Sequence, residues 1–208
     1  MLGEQLRPGL WRWAGRYEEW KGEVASVAIE AGSDLVLIDP LLVDAGWEEL
    51  AKARAGRRLH VLLTIHWHAR SAAEVATRFE DARIWAHSRN RAAVARRAPV
   101  TDVFRAGDEL PGGLTALEAR PRSEVLFWEP RSRALVVGDA LLGDGEKGTG
   151  LHTCPTSWLP GSVSPPDLRR SLEPVLDLPV EIVLPSHGAP VLNQAKRSLR
   201  RVAAGPVG

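Results

Sequence analysis

The sequence predicts an α/β fold built as one domain, and three patterns predict it. Short apolar runs such as DLVLI (34–38) and HVLL (60–63) read as buried strands. Between such runs apolar residues recur at helical spacing, as at Ala72, Val75, Ala76 and Phe79. Titratable residues then gather where the apolar runs stop, at Asp39, His66, His68, Asp139 and His187. Strands covered by a second sheet on one face and by helices on the other make a four-layer αββα sandwich. Helices on both faces of a single sheet make a three-layer fold, and the periodicity is compatible with either.

The elements follow in order. EVASVAIEAG (23–32) alternates and stops at Gly32, and DLVLIDP (34–40) is an apolar run ended by Asp39-Pro40. Trp47, Leu50 and Ala51 place a helix over 46–55. HVLLT (60–64) is a buried strand, and Ala72 to Phe79 the helix after it. ARIWAH (82–87) is a strand, and SRNRAAVARRA (88–98) a short helix expected to be capped by Ser88. GLTALEA, SEVLFWEP and RALVVGD, between residues 113 and 139, are three consecutive strands. Residues 143–166 form a Gly- and Pro-rich loop too long to be a mere connector. Leu168, Leu172, Val175 and Leu176 give a helix that Pro174 breaks or restarts. EIVLPSHGAP (181–190) is a last strand with a tight exit, and Leu192, Ala195, Leu199 and Val202 line a closing helix.

Composition excludes several classes of function. A chain of 208 residues holds one large domain with a sizeable core. With 44% hydrophobic and 25% charged residues it is an ordinary globular composition. A net charge of +1 gives no field to collect nucleic acid or an anionic membrane, so neither partner is expected. Arg89, Arg91, Arg96 and Arg97 are read as a solvated helix face. One cysteine, Cys154, leaves neither an internal disulfide nor a thiolate zinc cluster. With no signal-like N-terminus and no long apolar run, the expected location is cytoplasmic. Among the eight tryptophans, Trp11, Trp13 and Trp20 are expected to pack on a sheet edge, with a homodimer surface as the other use.

The order and context of the strand-end residues resemble the metallo-β-lactamase fold superfamily over nearly the whole chain. An opening strand pair ends in an aspartate, here Asp39; TIHWHARS (64–71) stands where the family has T-H-x-H-x-D-H; Gly138-Asp139 matches its G-D; and its S-H-G is intact at Ser186-His187-Gly188. The resemblance implies an αββα sandwich with a one- or two-metal site, usually zinc, and hydrolysis of thioesters, lactones, lactams or phosphoesters. It also implies the site residues: His66, His68, Asp139 and His187 as metal ligands, with His66, His68 and Asp139 carrying the catalysis.

The motif is incomplete. Arg70 stands at the place of the family's aspartate, Ser71 at that of the next histidine, and EARPRS, with Arg120, where G-H-T is expected. Four donors are too few for two ions, so the expectation is no metal or one zinc, and not two. Arg70 is expected on the floor of the site, paired with Asp139 and standing in electrostatically for the second ion. A base at that position is lost as well, since arginine stays protonated. Two functions follow. One is a hydrolase of a small ester, thioester or phosphoester with at most one metal. The other is a non-catalytic, metal-free binder of an anionic small molecule through Arg70, Arg120 and His187.

Overall fold

The structure is a computed structural model that describes residues 3–119, 124–144 and 150–205. The strands are β1 (Glu4–Arg7), β2 (Leu10–Tyr17), β3 (Gly22–Ala31), β4 (Asp34–Ile38), β5 (Arg58–Leu62), β6 (Arg83–His87) and β7 (Asp102–Phe104), which form one sheet in that order. Its first half, to β4, is antiparallel, and from β4 to β7 it is parallel. A second sheet takes β8 (Glu109–Leu110), β9 (Leu114–Glu118), β10 (Val125–Glu129), β11 (Ala134–Val137) and β14 (Ile182–Pro185), in the order β14-β11-β10-β9-β8.

Alternation along each strand divides the apolar residues among three cores. In β4, Val36 and Ile38 face the second sheet while Leu35 and Leu37 face helices, and all four are buried. In β10, Val125 and Phe127 meet them from across the inter-sheet core, and Leu126 and Trp128 point the other way. The outer face of the first sheet is covered by α1 (Gly46–Ala53) and α2 (Ala72–Arg78) through Leu50, Ala72 and Val75. The outer face of the second is covered by α4 (Pro165–Ser171) and α5 (Ala195–Ala204) through Leu168, Leu199 and Val202. Because the central strands of both sheets are buried on both faces, they read as continuous apolar runs, and the layers are helix, sheet, sheet, helix. The four-layer alternative is the one adopted.

Several local expectations need correction. Residues 4–17, to which the sequence reading assigns no element, form β1 and β2. The Ser88 segment is a 3-10 turn, Ser88–Asn90, followed by the single-turn α3 (Arg91–Val94), and neither start carries a side-chain cap. Within the expected 143–166 loop, β12 (Leu141–Gly143) pairs antiparallel with β13 (Leu151–Thr153), and residues 145–149 lie outside the described residues. Pro174 does restart the chain, opening a 3-10 segment at Glu173–Asp177. Among the described residues no helix is long and apolar enough to cross a membrane.

Candidate metal centre

The site lies where β4, β5, β11 and β14 run out at one edge of the sandwich. After β4 the chain turns at Asp39, whose φ of 49° is a left-handed conformation that aspartate tolerates better than most residues. The turn buries the carboxylate, which accepts hydrogen bonds from the Thr64 amide at 2.9 Å and from the Thr64 hydroxyl. The same carboxylate meets His68 Nδ1 at 2.8 Å. His68 belongs to a 3-10 turn, His66–Ala69, that follows β5. With Nδ1 committed to Asp39, its Nε2 faces Asp139 Oδ1 at 3.2 Å. From the far side, His187 Nε2 approaches the same oxygen at 3.2 Å. One donor atom from each of His68, Asp139 and His187 lies within 4.8 Å of the others.

Charge organises this chain of groups. Burial and the Arg70 guanidinium both disfavour a protonated His68, but the Asp39 and Asp139 carboxylates outweigh them and push it up to about 9. That upward shift favours the protonated ring, and each of its nitrogens faces a carboxylate. Burial would raise Asp139, yet hydrogen bonds from His187 and His68 hold it well below the usual carboxylate range.

A second buried carboxyl supports the first. Glu124, fully buried just before β10, accepts from the Gly138 amide at 3.0 Å and meets the amides of Asp139 and Ala140. Burial and the neighbouring Asp139 charge push it up to about 8. Gly138 is required here, since a Cβ would stand 2.6 Å from Thr64 Oγ1 and 3.1 Å from Glu124 Oε1. Sequence reasoning alone misses Glu124. The one available signal is an acidic residue opening an otherwise apolar run, SEVLFW.

Arg70 is not where its place in the motif suggests. The expected pair with Asp139 is not formed; Nη1 donates to the carbonyls of Ala25 at 2.7 Å and Asp39 at 2.8 Å, and Nη2 to Ser186 Oγ at 2.6 Å. Those partners belong to β3 and to the exits of β4 and β14, so the guanidinium staples the two sheets together beneath the site. Its geometry explains the difference, because a planar fork satisfies three oxygens at once while Asp139 already has two imidazoles. Burial pushes Arg70 below its ordinary value, with Asp39 and Asp139 opposing. The residue holds a strained φ of 34°. Ser71 is structural, its Oγ accepting from the Leu42 amide at 2.9 Å.

Of the four ligands expected, the structure brings three together. His66 stacks beside Trp67, with ring centroids 4.3 Å apart, and stands outside the donor group found among the described residues. Arg120 lies outside the described residues. His60 packs in the sheet, accepting from Trp85 Nε1 at 3.2 Å, and His87 lies against Phe104. Trp11 and Trp13 pack on the first sheet as expected, but Trp20 does not. It sits in the β2–β3 turn, edge-on to Trp158 at 5.2 Å, and both rings lie within 6 Å of the His187 ring. These tryptophans, with Tyr17 and Trp67, wall a cleft of about 390 Å³ that has His68, Asp139 and His187 at its base.

His68, Asp139 and His187 are a donor set able to hold a metal ion. Two imidazoles and a carboxylate are a sufficient catalytic set with an open position. The Asp39 contact to the other nitrogen of His68 is the orienting carboxylate that such ligands usually carry.

No protein-family model and no curated protein matches this sequence. Solved structures do. DIM-1 metallo-β-lactamase exposed to ceftazidime superposes with a TM-score of 0.72 at 15% identity, covering 97% of this chain and 95% of that one. A metallo-β-lactamase family protein from Thermus thermophilus gives 0.65 at 21% identity, over 96% of this chain and 78% of that one. The metallo-β-lactamase FIM-1 from Pseudomonas aeruginosa, in its mono-zinc form, gives 0.65 at 16% identity, over 96% and 94%. With the four layers and the strand-end site already in place, these likenesses identify the architecture: the chain has the metallo-β-lactamase fold.

Proposed function

We propose that this protein is a hydrolase of small esters, thioesters or phosphoesters that works with one zinc ion held by His68, Asp139 and His187. The observation that carries the reading is the convergence of those three donors, from three separate strand ends, at the base of an open cleft. A bound zinc ion supplies Lewis acidity and brings the pKa of water toward neutrality. The chain's own residues do the rest. Asp39 fixes the His68 ring and its tautomer, so Nε2 is presented to the cleft. Glu124 holds the Gly138–Ala140 backbone and with it the Asp139 carboxylate. The tryptophans wall the mouth of the cleft and offer apolar faces to a bound substrate. No carboxylate occupies position 70, and Arg70 is committed to three oxygens, so a dedicated base at that position is lacking and turnover should be slow.

The metal-free binding alternative has one observation in its favour. Asp39 and Asp139 both face His68, and Arg70 lies close enough to attract both, so each carboxylate has partners within the protein. Arg70 itself, however, has its donors turned to the protein. Saturable hydrolysis of a chromogenic ester, thioester or phosphoester panel separates the two. The enzyme reading expects activity abolished by chelator, restored by zinc and lost in Asp139→Asn. No hydrolysis above the buffer background, with or without zinc, favours the binder.

A further inference from the structure

The mouth of the cleft is two-sided. One side is the tryptophan wall. The other opens into a polar annex of about 440 Å³ that shares Tyr17, Glu19, Arg70 and Arg97 with the cleft and adds Arg96. Three guanidiniums face this annex against the single carboxylate of Glu19. They differ in availability. Arg70 is occupied by carbonyls and Ser186. Arg97 is shared between Glu19, at 3.2 Å, and the face of Trp67, with its Cζ 5.4 Å from the ring centroid. Arg96 is exposed and has no ion pair among the described residues. Sequence alone gives this pair a solvated helix face, but the chain leaves α3 just before it and turns Arg96 and Arg97 toward the cleft.

We infer that the cleft takes an amphipathic anion: an apolar, flat body against Trp20, Trp67 and Trp158, and a terminal carboxylate or phosphate at Arg96 and Arg97. The reacting bond then lies between the two ends, over the His68–Asp139–His187 base. Aromatic walls favour flat or extended apolar groups, and guanidinium forks match both anions in geometry. A cation would meet Arg96 and Arg97 at the entrance, with Glu19 already paired. The inference deepens the hydrolase reading and rests on this cleft being its substrate site.

Binding measured by calorimetry on chelator-treated protein tests it without any turnover. The probes are phenylpropanoate, phenylethyl phosphate, phenylpropanol and phenylpropylamine, with acetate as the anion lacking an apolar body. One of the two aryl anions should bind at least about tenfold more tightly than the alcohol, and the stronger of them identifies the headgroup. The double variant Arg96→Ala, Arg97→Ala should erase the preference for that anion over the alcohol. Trp20→Ala should weaken anion and alcohol alike. Equal affinity for anion and alcohol, tighter binding of the amine, no binding of any aryl probe, or an unchanged anion preference in the arginine variant overturns the inference. Failure of the hydrolase reading shows separately, as absent zinc binding and absent zinc-dependent turnover in protein that still prefers the aryl anion.

Discussion

His68 bridges two carboxylates, with Nδ1 2.8 Å from Asp39 Oδ2 and Nε2 3.2 Å from Asp139 Oδ1. Asp39 is thus the residue that aims the site although it does not face the cleft. Asp39→Asn keeps the left-handed backbone and the shape but removes the charge. Zinc affinity should fall by about 10- to 100-fold, as for other lost orienters of a ligand histidine. Stability should drop by about 3 kcal/mol as the buried His68 loses a charged partner. Unchanged zinc affinity in a calorimetric titration would show that Asp39 does not orient the ring.

Arg70 should behave as a structural staple. Arg70→Met should destabilise by about 3 kcal/mol, because the carbonyls of Ala25 and Asp39 and the Ser186 hydroxyl lose a charged donor together. Arg70→Lys should recover less than half of that, since a point charge cannot reproduce the fork. Chemical denaturation decides it, and full recovery by lysine contradicts the staple.

Much of this is legible in sequence, and the failures have physical causes. Asp39, His68, Asp139 and His187 are readable because strand ends are marked by the stop of an apolar run. The layer order is not, because strands buried on both faces lose the alternation that would show which side meets a sheet. Arg70 is misplaced because chain position gives no side-chain direction, and its best partners are carbonyl oxygens, which carry no residue signature. Glu124 is hidden inside an apolar strand motif, and Trp20 and Trp158 meet only through tertiary folding.

The metal-free protein should lose stability as pH rises. His68 is raised in the folded state, so its contribution is complete below its ordinary 6.5 and is lost as pH passes about 9. The loss across that window is about 3 kcal/mol. Glu124, raised to about 8, acts in the same direction from its ordinary 4.5 upward. Thermal melts in chelator should therefore fall from pH 6 toward pH 9 by roughly the linked amount. A profile that rises over that interval contradicts the upward shift of His68.

Glu124→Gln isolates the second buried carboxyl. Below about pH 4.5 the native group is protonated in both the folded and the unfolded chain and glutamine resembles it, so the change should cost less than about 1 kcal/mol there. Between its ordinary 4.5 and about 8 the native carboxyl holds in the fold a proton that the unfolded chain has released, so the variant should gain relative stability across that window and level off above it. A constant difference across pH would show that Glu124 does not titrate in this range.

Zinc stoichiometry tests the central claim most directly. Purified protein loaded with excess zinc and then dialysed should retain one equivalent by elemental analysis, and His68→Ala, Asp139→Ala and His187→Ala should each retain far less while still folding. His66→Ala should keep its zinc, since His66 stands outside the donor group. Two retained equivalents in the native chain, or loss of zinc in His66→Ala with retention in His187→Ala, would contradict a one-ion centre on His68, Asp139 and His187.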